Sequence, residues 1–251
     1  MVSNPFSGPA VAARYARSRP ALHHHVVELL LGRGLRVDRA LDVGCGTGLS
    51  TRPLTAIATK VVGVDGSKDM LRLAVRTEGV SYVLSAAERL PFMGGAFELI
   101  TLCSAIHWLE PSALVQLRRV LTAGGTLVVY DVWFPAEMEG VPAFAEWMQD
   151  ACGPRYPRVA KNRHQPDTML EAGIRLGCRD DLRYEVSMRL EQLVDYLMTH
   201  SERIAAIRDG RETEQQQHAF LSEGLGPLFE EGSVRELVFG IWVETYEPVT
   251  S

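Results

Sequence analysis

The stretch Leu41 to Gly48, "LDVGCGTG", changes from an apolar run to glycine at every second position, at Gly44, Gly46 and Gly48. An apolar run that ends in such a turn reads as a buried strand feeding a loop. There a ligand can approach the backbone and meet the N–H groups of the following segment. A dinucleotide loop spaces its glycines G-x-G-x-x-G. Here the spacing is G-x-G-x-G, and Asp42 stands two residues ahead of the first glycine. An acidic residue at that place suits the positively charged end of a ligand better than a pyrophosphate.

Outward from the loop, strands alternate with helices. "RALDVGC" reads as the first strand, and "STRPLTAIA" as a helix start after Gly48. "KVVGVDG" (60–66) is a second strand. "SKDMLRLAVRT" follows as a helix capped by Ser67, with an apolar face of Met70, Leu71, Ala74 and Val75. "VSYVLSA" (80–86) and "AFELITLCSAI" (96–106) read as strands, "PSALVQLRRVL" (111–121) as a helix, and "TLVVYDVWF" (126–134) as a fifth strand. Apolar strands alternating with helices predict a parallel sheet covered on both faces. Beyond Phe134 the rhythm changes. "GPRYPRVAKNRHQPD" (153–167) reads as a loop or lid, and "RYEVSMRLEQ" (183–192) as a strand. "EQLVDYLMTHSERIAAI" (191–207) has one helical pattern, and "RELVFGIWVETYEP" (235–248) is a final strand. The expected organisation is a single domain, with a core unit over 1–134, an elaboration or lid over 135–232 and the last strand in 233–251.

The chain has 251 residues, 46% of them hydrophobic, and a formal net charge of −5. That is enough for one large buried core, and the mild acidity argues against nucleic acid or anionic membrane as a partner. Cys45, Cys103, Cys152 and Cys178 form no C-x-x-C pair, so buried reduced thiols are expected. "MVSNPFSGPA" lacks the apolar core of a signal peptide, and no stretch of about 18 apolar residues exists; a cytoplasmic location is expected. His23, His24 and His25 invite a metal reading, but consecutive histidines on a helix point in different directions, so no metal site is expected.

Asp65 ends the second strand, 21 residues beyond Gly44. An acidic residue there can accept both hydroxyls of a ribose. "LDVGCGTG", "VVGVDGSKDML", "AAERLPF", "FELITLCSAIHWL" and "LRRVLTAGGTLVVYD" follow one another in this order. Together they resemble the class I S-adenosylmethionine-dependent methyltransferases. The likeness is greatest to the small-molecule branch with the ubiquinone-biosynthesis and trans-aconitate methyltransferase-like proteins. It runs from Arg39 to Trp133, is weaker at "YARSRP" (15–20), and is faint beyond residue 180.

The resemblance implies a Rossmann-like three-layer α/β sandwich. Its mostly parallel seven-stranded sheet would have the order 3-2-1-4-5-7-6, with the last strand antiparallel and a partly helical cap. It implies S-adenosyl-L-methionine as cofactor, S-adenosyl-L-homocysteine as product and a small-molecule acceptor. Gly44, Cys45, Gly46 and Gly48 would pass the methionine portion, and Asp42 would help orient its amino group. Asp65 would hold the ribose, Gly66 and Met70 would border the adenine, and Ala87 and Glu88 would meet its edge. Ser104 and Ala105 would lie beside the sulfonium. Ala86 departs from the family's pattern, where many relatives carry Asp.

Methyl transfer needs alignment and exclusion of water, with a base only where the nucleophile starts protonated. His107, in "SAIHWLE", is the candidate base or acceptor-positioning group; packing beside Trp108 is its other reading. Tyr15, Arg19, Trp108 and Trp133 are candidate acceptor-site residues. Arg17, Phe134, Phe144 and Trp147 could join them, or the aromatic residues could form the core of the elaboration. The basic run Arg155, Arg158, Lys161 and Arg163 would either steer an anionic acceptor or be a solvated loop. Methylation at oxygen is expected. The alternatives are methylation at nitrogen or carbon, a nicotinamide oxidoreductase, which the glycine spacing disfavours, and a non-catalytic S-adenosylmethionine-binding protein.

Overall fold

A computed structural model of the chain describes residues 6, 8–157, 159, 166–230 and 232–249. Arg158, Lys161 and Arg163 lie outside the described residues. The apolar run before the glycines is β1 (Val37–Val43), whose last four residues are buried. It pairs in parallel with β2 (Ala58–Asp65) and β4 (Phe97–Cys103). β3 (Val80–Leu84) extends the sheet beyond β2, and β5 (Leu121–Trp133) extends it beyond β4, both in parallel. β7 (Arg235–Pro248) runs antiparallel to β5 and to β6 (Ile174–Met188). The order is β3-β2-β1-β4-β5-β7-β6, the seven-stranded Rossmann-like sheet expected.

Helices cover both faces. α1 (Pro9–Ser18) and α2 (His23–Gly32) precede the sheet, and α3 (Lys68–Arg72) and α4 (Pro111–Val120) connect its parallel strands. α5 (Pro142–Trp147), a π-turn and α6 (Gly153–Arg155) follow β5, and α7 (Pro166–Glu171) leads into β6. α8 (Leu190–Leu197), α9 (Ser201–Arg208) and α10 (Glu214–Leu225) complete the cap. One buried cluster joins Val26 and Leu30 of α2 to Phe144, Tyr196 and Phe239; the other packs Leu114 and Leu117 of α4 on Leu41 and Ile100. Segment 135–232 is therefore of two kinds, since β6 belongs to the sheet and the helices form the cap.

Four local expectations need correction. The segment after Gly48 is a short 3₁₀ turn, Arg52–Ala56, not an α-helix. β2 begins at Ala58, which leaves no room for more turns, and Thr55 Oγ1 donates back to Arg52 O at 2.8 Å, a local bond that competes with helix. α3 is capped by Ser67 as expected but stops at Arg72, with only Met70 buried. Val75 is exposed and Leu71 and Ala74 are half-buried, so of the expected apolar face Met70 alone enters the core. β6 starts at Ile174, well before Arg183. It is an edge strand, and charged residues such as Arg179, Asp180 and Asp181 hide its pattern while protecting its free side. The helix expected over 191–207 breaks at Met198–His200, where Thr199 Oγ1 donates to Tyr196 O at 2.6 Å.

Candidate functional site

Beyond the C-terminal ends of β1, β2, β4 and β5 lies a cavity of about 400 Å³. That is where open α/β sheets bind ligands, and the volume is of the usual order for a small-molecule site. Gly44, Gly46, Asp65, Gly66, Met70, Ala87, Glu88, Ser104 and Ala105 line it. Tyr15, Arg19, His107, Trp108 and Trp133 line it as well. Asp42, Cys45 and Gly48 do not.

The three glycines have separate reasons. The loop docks on β2 through Gly44 N–H and Cys45 N–H, both donating to Val64 O. Gly44 has φ +73°, and a Cβ there would lie 2.5 Å from the Cβ of Ala105. Gly46, at φ +54°, has nothing within 4 Å of that position and faces the cavity. Gly48 makes room for protein: a Cβ would lie 2.2 Å from Tyr82 Oη. Cys45 is buried, close to Gly63.

Asp65 binds the loop and faces the cavity. Its Oδ2 accepts Gly46 N–H at 2.8 Å and its Oδ1 accepts Ser67 N–H at 2.7 Å. Burial pushes its carboxyl above the usual range, against the pull of these two donors. A carboxylate offers about four lone-pair sites, so two remain for a pair of hydroxyls. Asp42 lies underneath, fully buried. Ser50 and Thr51 donate to its Oδ2 at 2.7 Å each, and Thr101 donates to its Oδ1 at 2.8 Å. Burial raises its pKa and the three hydroxyls lower it. It ties the segment after the glycine loop to β1 and does not itself line the cavity.

At the end of β4, Ser104 holds φ +50°, an uncommon conformation for a side-chain-bearing residue, and its Oγ donates to Asp131. Glu88 Oε1 accepts Glu110 N–H at 3.1 Å. Arg19 lines the cavity, its guanidinium 5.0 Å from the Tyr15 ring centre and 5.4 Å from that of Tyr196. Its Nη2 donates to Thr199 O at 3.0 Å, and its buried Nε has no hydrogen-bond partner within the described residues. His107 tilts against Trp108, with ring centres 5.1 Å apart.

Sequence reasoning missed Asp131, Tyr196, His200, Ser201 and Glu202, which also line the cavity. The break between α8 and α9 delivers the last three. His200 Nδ1 lies 3.5 Å from Glu202 Oε1, and burial pushes its imidazole down to about 4. The sequence signal was Thr199-His200-Ser201, polar residues that favour a helix start. Phe134 lines the cavity, whereas Phe144 is core and Trp147 packs on Phe220. Arg17 pairs with Asp195, and Arg155 donates to Glu212 at 2.6 Å, so neither faces the cavity. No helix among the described residues is long and apolar enough to cross a membrane.

Residues 41–129 match the family model described as "Methyltransferase domain". An uncharacterized methyltransferase of Mycobacterium bovis is 35% identical over 123 residues, 48% of this chain and 49% of that protein. A malonyl-[acyl-carrier protein] O-methyltransferase of Legionella pneumophila is 30% identical over 123 residues, 46% of this chain and 43% of its own. These matches span about half the length of the curated relatives or less. Over nearly the whole chain the fold resembles a solved structure from Anaeromyxobacter dehalogenans titled as a type II methyltransferase. The TM-score is 0.64 at 18% identity, covering 98% of both chains.

Proposed function

We propose that this chain, with its methyltransferase domain over 41–129, is an S-adenosylmethionine-dependent enzyme that methylates a small-molecule acceptor at oxygen. One observation carries the reading. A single cavity joins an open glycine loop, a carboxylate with lone pairs to spare and an aromatic chamber around a cation. When bound, S-adenosylmethionine would supply a methyl group already activated on a sulfonium, and the residues that line the cavity would hold it beside the acceptor oxygen.

The residues then divide the work. Gly44 and Gly46 leave the backbone open to the methionine portion, and Asp65 takes the ribose hydroxyls. Gly66 and Met70 border the adenine, with Ala87 and Glu88 at its edge. Ser104 and Ala105, small residues at the end of β4, leave room beside the sulfonium. Tyr15, Arg19, Trp108 and Trp133 wall the acceptor and exclude water. His107 positions the acceptor or takes its proton. Arg19 favours oxygen, because a buried guanidinium stabilises a carboxylate or developing alkoxide and opposes a protonated amine. The nearby carboxylates are engaged, Asp131 by Ser104 and Glu202 by Ser201 and His200. The Legionella relative is also named for methylation at oxygen.

Calorimetric titration with S-adenosylhomocysteine tests the reading, with micromolar binding expected. Asp65→Ala removes charge-assisted bonds to loop and ligand and should weaken that binding by about 1–3 kcal/mol; unchanged affinity refutes the ribose assignment. His107→Ala should slow transfer to a hydroxyl acceptor more than it weakens cofactor binding. Unaltered turnover would reduce His107 to packing.

A further inference from the structure

The three consecutive histidines divide between two environments. His23, the first residue of α2, turns inward, with Nδ1 3.1 Å from Tyr130 Oη and 3.6 Å from Cys103 Sγ. His24 and His25 turn outward but do not diverge. Their ring centres are 3.8 Å apart, and Glu28 sits four and three residues on, on the helix face that both can reach. One ligand atom from each of His24, His25 and Glu28 lies within 4.8 Å of the other two.

We propose that His24, His25 and Glu28 form a binding site for a divalent transition-metal ion. His25 Nδ1 and Glu28 Oε2 are 3.1 Å apart. Two ligands of a tetrahedral ion with bonds near 2.0–2.1 Å stand about 3.3 Å apart. That pair is therefore spaced for an ion to replace the shared proton. His24 Nδ1 lies 2.8 Å from Ala21 O. Its N–H donates to that carbonyl, which fixes the tautomer and leaves Nε2 with a lone pair for metal, the arrangement common behind ligating histidines. His25 is held from the other side by Tyr184 of β6, stacked at 3.7 Å between ring centres and 7° between planes.

Each ring thus has a support outside the cluster. Three protein ligands leave the remaining coordination positions to solvent. Two imidazoles and one carboxylate suit Zn²⁺, Ni²⁺ or Cu²⁺; Mg²⁺ and Ca²⁺ prefer all-oxygen sites.

The test is calorimetry of the untagged full chain with zinc chloride. One ion per chain with micromolar affinity is expected, tighter for cupric ion and undetectable for magnesium. His24→Gln and Glu28→Gln, at exposed positions, should each weaken zinc binding by about tenfold or more, the scale seen when a metal site loses a supporting group. His218→Gln, on α10, should leave it unchanged. Electron paramagnetic resonance of the cupric form should show two imidazole nitrogens, falling to one in His24→Gln. The site is refuted if millimolar zinc gives no binding heat, or if zinc binding is indifferent to His24→Gln and Glu28→Gln.

Discussion

Asp42→Ala is expected to lower the melting temperature by roughly 10 °C, measured by calorimetry at neutral pH. Asp42 sits on β1 with Thr101 opposite it on β4, and its two oxygens receive three hydroxyl donors. Alanine removes all three acceptor contacts at once. Each buried donor left unmatched costs about 1 kcal/mol or more, roughly 3–4 kcal/mol together, and a domain of this size loses about 2–4 °C per kcal/mol. Asp42→Asn separates charge from hydrogen bonding. Its carbonyl still accepts, and a hydroxyl can rotate to accept from its amide. Burial works against the Asp42 charge, so asparagine should cost much less than alanine. Equal losses would mean that the charge itself, and not the donors it satisfies, holds the loop. Ser50 and Thr51 follow the glycine loop directly, so Asp42→Ala should also weaken S-adenosylhomocysteine binding without touching the cavity wall.

The sequence could announce this half of the molecule because its signals are local. The glycine loop, Asp65 and the strands on either side fall within one short crossover from β1 to β2, where the chain must turn, present N–H groups and return. Even so, the residues do not explain themselves individually. Gly48 looks like part of the ligand loop, yet its missing side chain accommodates Tyr82 from β3. Asp42 looks like a ligand-facing carboxylate, yet three hydroxyls enclose it.

The part of the cavity beneath the cap was scarcely legible, for a topological reason. Tyr15 and Arg19, Asp131, and Tyr196 and His200 come from three widely separated stretches of the chain and meet only because the cap folds over the sheet. A helical period runs through 191–207, and tertiary packing, not periodicity, decides that it breaks at His200. β6 was half hidden for the opposite reason. An edge strand paired only with β7 tolerates charge at nearly every exposed position, so the alternation that identifies a strand is diluted.

Acidification from pH 7 towards pH 4.5 is expected to cost this protein about 4–6 kcal/mol of stability, read from urea unfolding across that range. Two imidazoles carry the effect. Burial pushes His23 down to about 4, with the nearby Arg19 charge acting in the same direction. Burial likewise brings His200 to about 4, although Glu202 opposes it. In the unfolded chain both titrate near 6.5. Between those values the unfolded chain binds protons that the folded chain refuses. Stability is therefore complete above about pH 6.5 and falls as pH drops towards 4, by about 2–3 kcal/mol per group. Asp42 and Asp65 act in the opposite sense. Their folded pKa values are raised by burial, so they take up protons more readily when folded and soften the loss at the acid end. The double variant His23→Gln/His200→Gln should flatten the dependence, whatever it costs at neutral pH. If the wild-type midpoint does not move between pH 7 and pH 4.5, neither imidazole is held neutral by its burial. The two side chains line or back the same cavity, so a bound ligand that dries it further should steepen the acid loss. Repeating the series with saturating S-adenosylhomocysteine then asks whether the histidines report on the site.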